Sequence, residues 1–477
     1  MLTRPVVLCA SALLLFALPA DRDPCLRLSR AGTQVQGDVT VCPGRYRIPD
    51  HGELGVLIIA GSGTRLNLTG VTLESGDSVQ SAFLGAGVVS RGLDNVEVYG
   101  GTIHGFRHGI RIEGGRGHRI ARVDVSGSRA QVLRSTPDRY DEADWLDIFR
   151  ADSAEAYGGG ILLKNTNGAT VVGVSARRAQ NGIGLIDARA SYVADNDVSE
   201  NSGWGIHLWA SSHNTLVRNK ADHNVRCESP AYRRGCDSAG ILLRERSDSN
   251  LVTDNNLTWS GDGFFLSGQP EFIRPSNGNL VLRNDGSSAY HNAFESTFSH
   301  GNVFLENRAD SSDYGFWLGY STGTTVQGNI ILGSRSVGIA IEHGGANRLL
   351  TNMVMGGKAG IRLFTRDSAG PASRDYIIDG NIIAEVTRGL VLERTAHARV
   401  RGNTFDAVDE ALVVDSTGRD AQVTGNVFLR AQRYFIVAPS LRAGSNYWAT
   451  ATEAEAAARV KGSVVVAPWF PASAAGY

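Results

Sequence analysis

Lysine and methionine are nearly missing from this 477-residue chain, which has 4 of the first and 3 of the second. Its basic residues are therefore almost all arginine, and no basic run stands out. With a formal net charge of −1, the chain lacks the cationic surplus that counterion release requires, and nucleic-acid binding is not expected. Proline is sparse as well, 13 residues against 57 glycines, which excludes collagen-like and Pro-rich classes and leaves a folded chain with many regular turns. Beyond the first twenty residues no stretch is long and apolar enough to span a bilayer.

Residues 1–20 read as a secretory signal. Arg4 gives the positive start, Val6 to Leu18 is an apolar run too short for a stable span, and Ala20 closes a small-residue cleavage site. The expected location is secreted or periplasmic. Cysteine is also scarce. Cys9 would leave with the signal, and Cys25, Cys42, Cys227 and Cys236 remain. In an oxidising compartment two local disulfides, Cys25–Cys42 and Cys227–Cys236, are the economical pairing. Zinc is the alternative, but no histidines stand at ligand spacing beside either pair.

What the chain has in quantity is a repeat. A Gly-apolar-x-apolar phrase recurs with its glycine at 160, 182, 205, 240, 263, 315, 338, 360 and 389, mostly 22 or 23 residues apart, and Ala293 fills the slot between 263 and 315. A second phrase ends in asparagine at 196, 219, 255, 284, 307, 329, 352, 381, 403 and 426. Short β-type phrases without helical periodicity exclude helical solenoids, and the period is too short for a propeller blade. The expected fold is all-β: a single right-handed parallel β-helix of about a dozen coils with inserted loops, occupying residues 21–477. An N-terminal cap (about 21–60) and a C-terminal cap (about 445–477) with a short helix at 451–460 are expected to cover its ends. The asparagine column reads as residues taking the left-handed turn geometry that asparagine tolerates, their side chains hydrogen-bonding from coil to coil.

The stretches "VQGDVTVCPGRYRI", "GTRLNLTGVTLES", "NVEVYGGTIHGFRHGIRIEGG" and "GSNYWA…GSVVVAPWF" resemble the bacterial secreted β-helix proteins of the pectin-lyase-like superfamily, NosD-type repeats included. The resemblance covers nearly the whole mature chain and bears on fold more than on activity. "GDGFFL" at 261 also resembles the strand entry of polygalacturonase-like hydrolases. That likeness stops there: where the family has an adjacent Asp pair this chain has His291 and Asn292, and only Arg362 stands near the place of its downstream basic element.

Three insertions interrupt the period, at 128–158, 226–236 and 267–279, and insertions of a solenoid tend to gather on one face. Alternation along the strands sends His207, Trp209, Arg244, Phe265, Glu295, Trp317 and Glu342 outward, which predicts a groove floor with aromatic faces for sugars and charged groups for hydroxyls or acids. Asp237, Asp262, His291 and Asp313 stand at the turns just before successive strands. Tyr290, His300, Tyr320 and His343 are close by in sequence.

Asp262, Glu295, Asp313, His291, Asp237 and Glu342 are thus the candidate catalytic residues. His207, Trp209, Arg244, Phe265, Tyr290, His300, Trp317, Tyr320 and His343 are the candidate substrate contacts. A coil spacing of about 4.8 Å with about 3.3 Å per residue of offset puts Asp237 roughly 8 Å and Asp313 roughly 10 Å from Asp262, near the separation for an inverting glycosidase. A turn-only role for Asp262 competes, since Asp-Gly is a common turn pair.

The leading expectation is a glycoside hydrolase acting on a polysaccharide or oligosaccharide without a cofactor. A polysaccharide lyase or uronate epimerase using His, Tyr or Arg, with Ca²⁺ possible, is the first alternative, and a non-catalytic glycan-binding protein the second. The sequence gives no oligomeric state.

Overall fold

The computed structural model describes residues 25–475 except 53, 228–234, 270, 367–370 and 419, and omits the side chains of 151, 152 and 154. The expected signal segment lies outside the described residues. The chain winds into a right-handed parallel β-helix. Among the described residues one long sheet holds 17 strands, a second holds 15, and a third face is made of a 7-stranded and a 3-stranded sheet. The strands Thr33–Val35 and Val460–Val465, in the regions expected as caps, extend the long sheet beyond the coils that carry the Gly-apolar phrase.

The long sheet explains the phrase. Its apolar positions stack in register inside the coil, as in Ile241, Phe264, Phe294, Phe316 and Ile339, all fully buried. Each contributes about 1.5–3 kcal/mol by leaving water, and Phe294 and Phe316 stack with centroids 5.0 Å apart. The glycine answers to a close approach: a Cβ on Gly263 would stand 2.5 Å from the carbonyl oxygen of Ala293 on the next coil.

The asparagines form the expected ladder. Asn255 Nδ2 donates to Asn284 Oδ1 at 2.9 Å, Asn284 to Asn307 at 3.1 Å, and Asn307 to Asn329 at 3.1 Å. The left-handed residue of this turn is, however, the one before the asparagine: Asp254, Arg283 and Glu306 have φ of 56°, 50° and 55°. Asparagine is selected here for its buried amide, and the strained position tolerates varied side chains.

Both expected disulfides are present. The expected C-terminal helix spans Glu453–Ala458, with the Thr452 hydroxyl accepting the Glu455 N–H at 3.2 Å.

Candidate active site

The outward side of the long sheet carries one register column: His207, Leu242, Phe265, Glu295, Trp317, Ala340, Arg362 and Val391 pair coil to coil. The sequence predicted its early members as an open groove floor. The structure covers them instead. Leu146 and Ile148 of the 128–158 insertion and Ile273 of the 267–279 insertion pack onto Trp204, Trp209, Leu242 and Phe265, and His207 and Leu242 are fully buried.

Arg244 shows how firmly the cover is held. Its guanidinium lies 4.7 Å from the ring centroids of both Trp204 and Trp209. Its N–H groups donate to His207 Nε2 at 2.9 Å, to the Asp147 carbonyl at 3.2 Å and to the Ser153 hydroxyl at 3.2 Å. Burial holds it below the usual arginine range, at about 9. His207, Trp209, Arg244 and Phe265 are therefore the bed of an insertion and do not face an open groove.

The column becomes accessible at Glu295. The strands Asp262–Ser267 and Asn292–Thr297 pair so that Phe265 stands opposite Glu295, and this brings the two strand entries together. Asp262 is buried, its Oδ1 accepting the Asn292 backbone N–H at 2.9 Å. His291 Nδ1 stands 3.3 Å from that same oxygen and 3.9 Å from Glu295 Oε2. Asn292 Nδ2 donates to Glu295 Oε2 and lies 3.0 Å from His291 Nδ1. Sequence reasoning passed over Asn292. Its signal was its place beside Ala293, which takes the slot of the repeat glycine, as Ala411 does on a later coil.

Crowding of acids sets the protonation. Burial, then the charges of Asp262 and Asp237, push Glu295 up to about 8, against the opposing pull of His291. Asp237 is raised to about 7, by burial first and Asp262 second. It follows Cys236 directly, and its carbonyl accepts the Trp204 indole N–H at 2.8 Å. Burial and mutual repulsion thus raise two carboxyls of one group above their ordinary range, a condition that acid–base catalysis uses.

The other candidates fall into three groups. Trp317 joins the cluster through Tyr314, which the sequence reading did not name: Tyr314 meets the His291 ring at 6.3 Å and Trp317 at 4.9 Å. Both also line a groove of about 660 Å³ that continues toward Arg362, Phe364 and Arg388. Asp313 and Tyr290 serve the turns. The Asp313 carboxylate accepts the Ser336 hydroxyl at 2.7 Å, and the Tyr290 carbonyl accepts Arg335 at 2.7 Å. Glu342, His300, Tyr320 and His343 stand at or just after the ends of their strands, away from the entries where the acids gather. Phe298, Tyr320 and His343 stack flat at 4.4 and 4.6 Å beside His300 in a separate cleft. Glu342 pairs with Arg366 at 3.0 Å.

The family model described as periplasmic copper-binding protein (NosD) matches residues 70–295 and 258–462. The chain belongs to the NosD family. Among solved structures, this NosD-family chain is similar to the Azotobacter vinelandii mannuronan C-5 epimerase AlgE4 A-module, with 15% identity over 70% of this chain and 91% of that one and a TM-score of 0.50. It is also similar to the Dettilon tailspike protein, with 14% identity over 75% of this chain and 61% of that one and a TM-score of 0.43. The Streptococcus pneumoniae surface protein and adhesin PfbA gives 12% identity over 83% and 92% and a TM-score of 0.40. At these identities the likeness concerns the fold alone. No curated protein matches the chain.

The family description names copper, so the donors merit a test. Among the described residues, one group of three His, Cys, Asp or Glu side chains converges: Asp262, His291 and Glu295, their ligand atoms mutually within 4.8 Å. It offers one imidazole and two carboxylates, and the Asn292 amide donor already stands on two of the three. The cysteines at 25, 42, 227 and 236 are oxidised, and Met353 and Met355 lie on a strand of another sheet. This set lacks the thiolate, thioether or multiple imidazole ligands that favour copper, and no catalytic step is routed through it.

Proposed function

We propose that this chain is a carbohydrate-active enzyme that hydrolyses glycosidic bonds, with Glu295 as proton donor and Asp237 as the base that activates water. The observation that carries the reading is the gathering of Asp262, His291 and Glu295 at one pair of strand entries. Burial and neighbouring charge raise Glu295, which is the register partner of Trp317, where the groove opens. Protonating a leaving glycosidic oxygen requires such an acid, and the second carboxyl completes the pair. Asp262, buried behind them, is a positioning residue that orients His291 and raises both acids. Trp317 and Tyr314 supply apolar faces for a sugar ring.

The charge balance favours an uncharged sugar at the reacting position. Three acids gather there, the basic groups acting on them are His291 and, on Asp237, the buried Arg244, and of the four arginines lining the groove Arg362, Arg366 and Arg388 are paired with Glu393, Glu342 and Glu410. A uronate carboxylate placed among these acids would be repelled.

A second reading has one observation in its favour. His291 is partly exposed and held by Asp262 at 3.3 Å, an arrangement that also suits a base abstracting a proton beside a carboxylate, as in a polysaccharide lyase or uronate epimerase. A panel of neutral and uronate polysaccharides separates the cases. Hydrolysis releases reducing ends with no ultraviolet absorbance from an unsaturated product, elimination gives that absorbance, and epimerisation changes the sugar without cleavage. Binding with no product of any kind would leave a glycan-binding protein and contradict the proposal.

A further inference from the structure

We infer that the groove is closed at one end, so that a glycan meets the acid cluster with its chain end and is processed from that end. This rests on the reading of the cluster as a glycosidase, and adds a mode of action to it.

The argument follows one register column along the long sheet. On the N-terminal side of Glu295 the column is sealed: His207 and Leu242 are fully buried and Phe265 is 4% exposed. The seal is made by two insertions that meet above the sheet, with Phe149 of one and Phe272 of the other at 5.7 Å, edge to face. Arg244 bolts the first insertion down through Asp147 and Ser153. Cys236 adjoins it, the Leu146 N–H donating to its carbonyl at 3.3 Å. A polymer lying along the sheet cannot continue past Phe265 without displacing this wall.

On the C-terminal side Ala340 is 1% exposed, packed with Trp317 and Phe364 of its own sheet rather than with either insertion, and beyond it the column lines a groove. From Trp317 it runs through Ala340, Arg362, Val391 and Val413 to Val437. Five coil steps of about 4.8 Å give roughly 24 Å, enough for several sugars in a row. Trp317, Arg362, Val391, Val413 and Val437 all line the groove. Arg362 lies 4.3 Å over the Phe364 ring while its guanidinium binds Glu393 at 2.7 Å, giving a flat, polar-edged surface suited to sugar rings and hydroxyls. The acids therefore stand at the inner end of a one-sided run of subsites. An enzyme that cuts within a chain needs subsites on both sides of them.

Two measurements on the full chain test this. The first uses the polysaccharide that the panel identifies. Products are sized at low conversion while viscosity is followed. End-wise action gives one short product size from the earliest time and little fall in viscosity. A ladder of random sizes with an early, steep fall would overturn the inference while leaving hydrolysis intact. The second does not depend on turnover. Cellohexaose, xylohexaose and maltohexaose, each carrying a bulky fluorophore at either the reducing or the non-reducing end, are titrated against the Glu295→Gln variant. A one-ended groove binds one labelled isomer at least tenfold more tightly than the other. Equal affinities would overturn the inference, and so would the absence of binding by all three sugars. One-sided binding without turnover would instead count against the proposed hydrolysis alone.

Discussion

Nδ1 of His291 stands 3.3 Å from Oδ1 of Asp262, an oxygen that also accepts the Asn292 backbone N–H at 2.9 Å. Asp262 is 1% exposed, so it meets the groove only through its neighbours. It orients His291, and its charge raises Glu295 and Asp237. An aspartate that reads as a turn residue in the repeat therefore acts as the electrostatic centre of the cluster.

Replacing it separates position from charge. Asp262→Asn keeps the shape and the burial but removes the charge that, after burial, does most to raise Glu295 and Asp237. Both limbs of the pH–rate profile are expected to move to lower pH, with a loss of kcat of about tenfold or more from the disturbed His291. A profile that stays in place would show that Asp262 does not set these protonation states.

The raised acids also tie stability to pH. Glu295 ordinarily titrates at 4.5 and here at about 8. Between these values the folded chain holds a proton that the unfolded chain has lost, so stability falls as pH rises through the window. Glu295→Gln is expected to flatten that slope in urea titrations at a series of pH values. An unchanged slope would place the coupling elsewhere.

Arg244 is expected to hold the wall more than any catalytic geometry. Arg244→Met keeps much of the volume but leaves His207 Nε2, the Asp147 carbonyl and the Ser153 hydroxyl without their donor. A loss of roughly 2–4 kcal/mol is expected. Amide exchange should quicken first in 145–157, because that segment is what the guanidinium pins. Uniform quickening across the coil would argue against a local latch.

The asparagine ladder should be costly to break. In Asn284→Ala, the Asn255 side-chain and backbone N–H groups lose their shared acceptor, and the Val252 carbonyl loses a donor. About 3 kcal/mol or more is expected, since several buried groups are left unpaired at once. A denaturation midpoint close to wild type would mean that water replaces the amide.

Much of the fold was legible because each coil restates the same constraints. The glycine slot marks where the next coil's carbonyl approaches, as at Gly263, and the asparagine column marks a buried ladder. The left-handed position was assigned one residue too late, because asparagine's own turn preference explains the same letters. The outward column from His207 to Ala340 followed from alternation. Its exposure did not: period-two patterning tells which side of the coil a residue takes, and says nothing of Leu146 and Ile148, far away in sequence, that cover Trp209 and Phe265. The pairing of Asp262 with Glu295 was within reach, since aligning Gly263 with Ala293 places them on adjacent coils. The role of Asn292 was not, because only side-chain geometry reveals it.

The most direct test of the central claim is Glu295→Gln, assayed for reducing-end release and for glycan binding in parallel. The substitution keeps size and hydrogen bonding near Asn292 but cannot deliver a proton to a leaving oxygen. The expected result is a fall in hydrolysis of about 10²–10⁴-fold with binding nearly unchanged. Retained hydrolysis at wild-type rate would contradict the assignment of Glu295 as the proton donor.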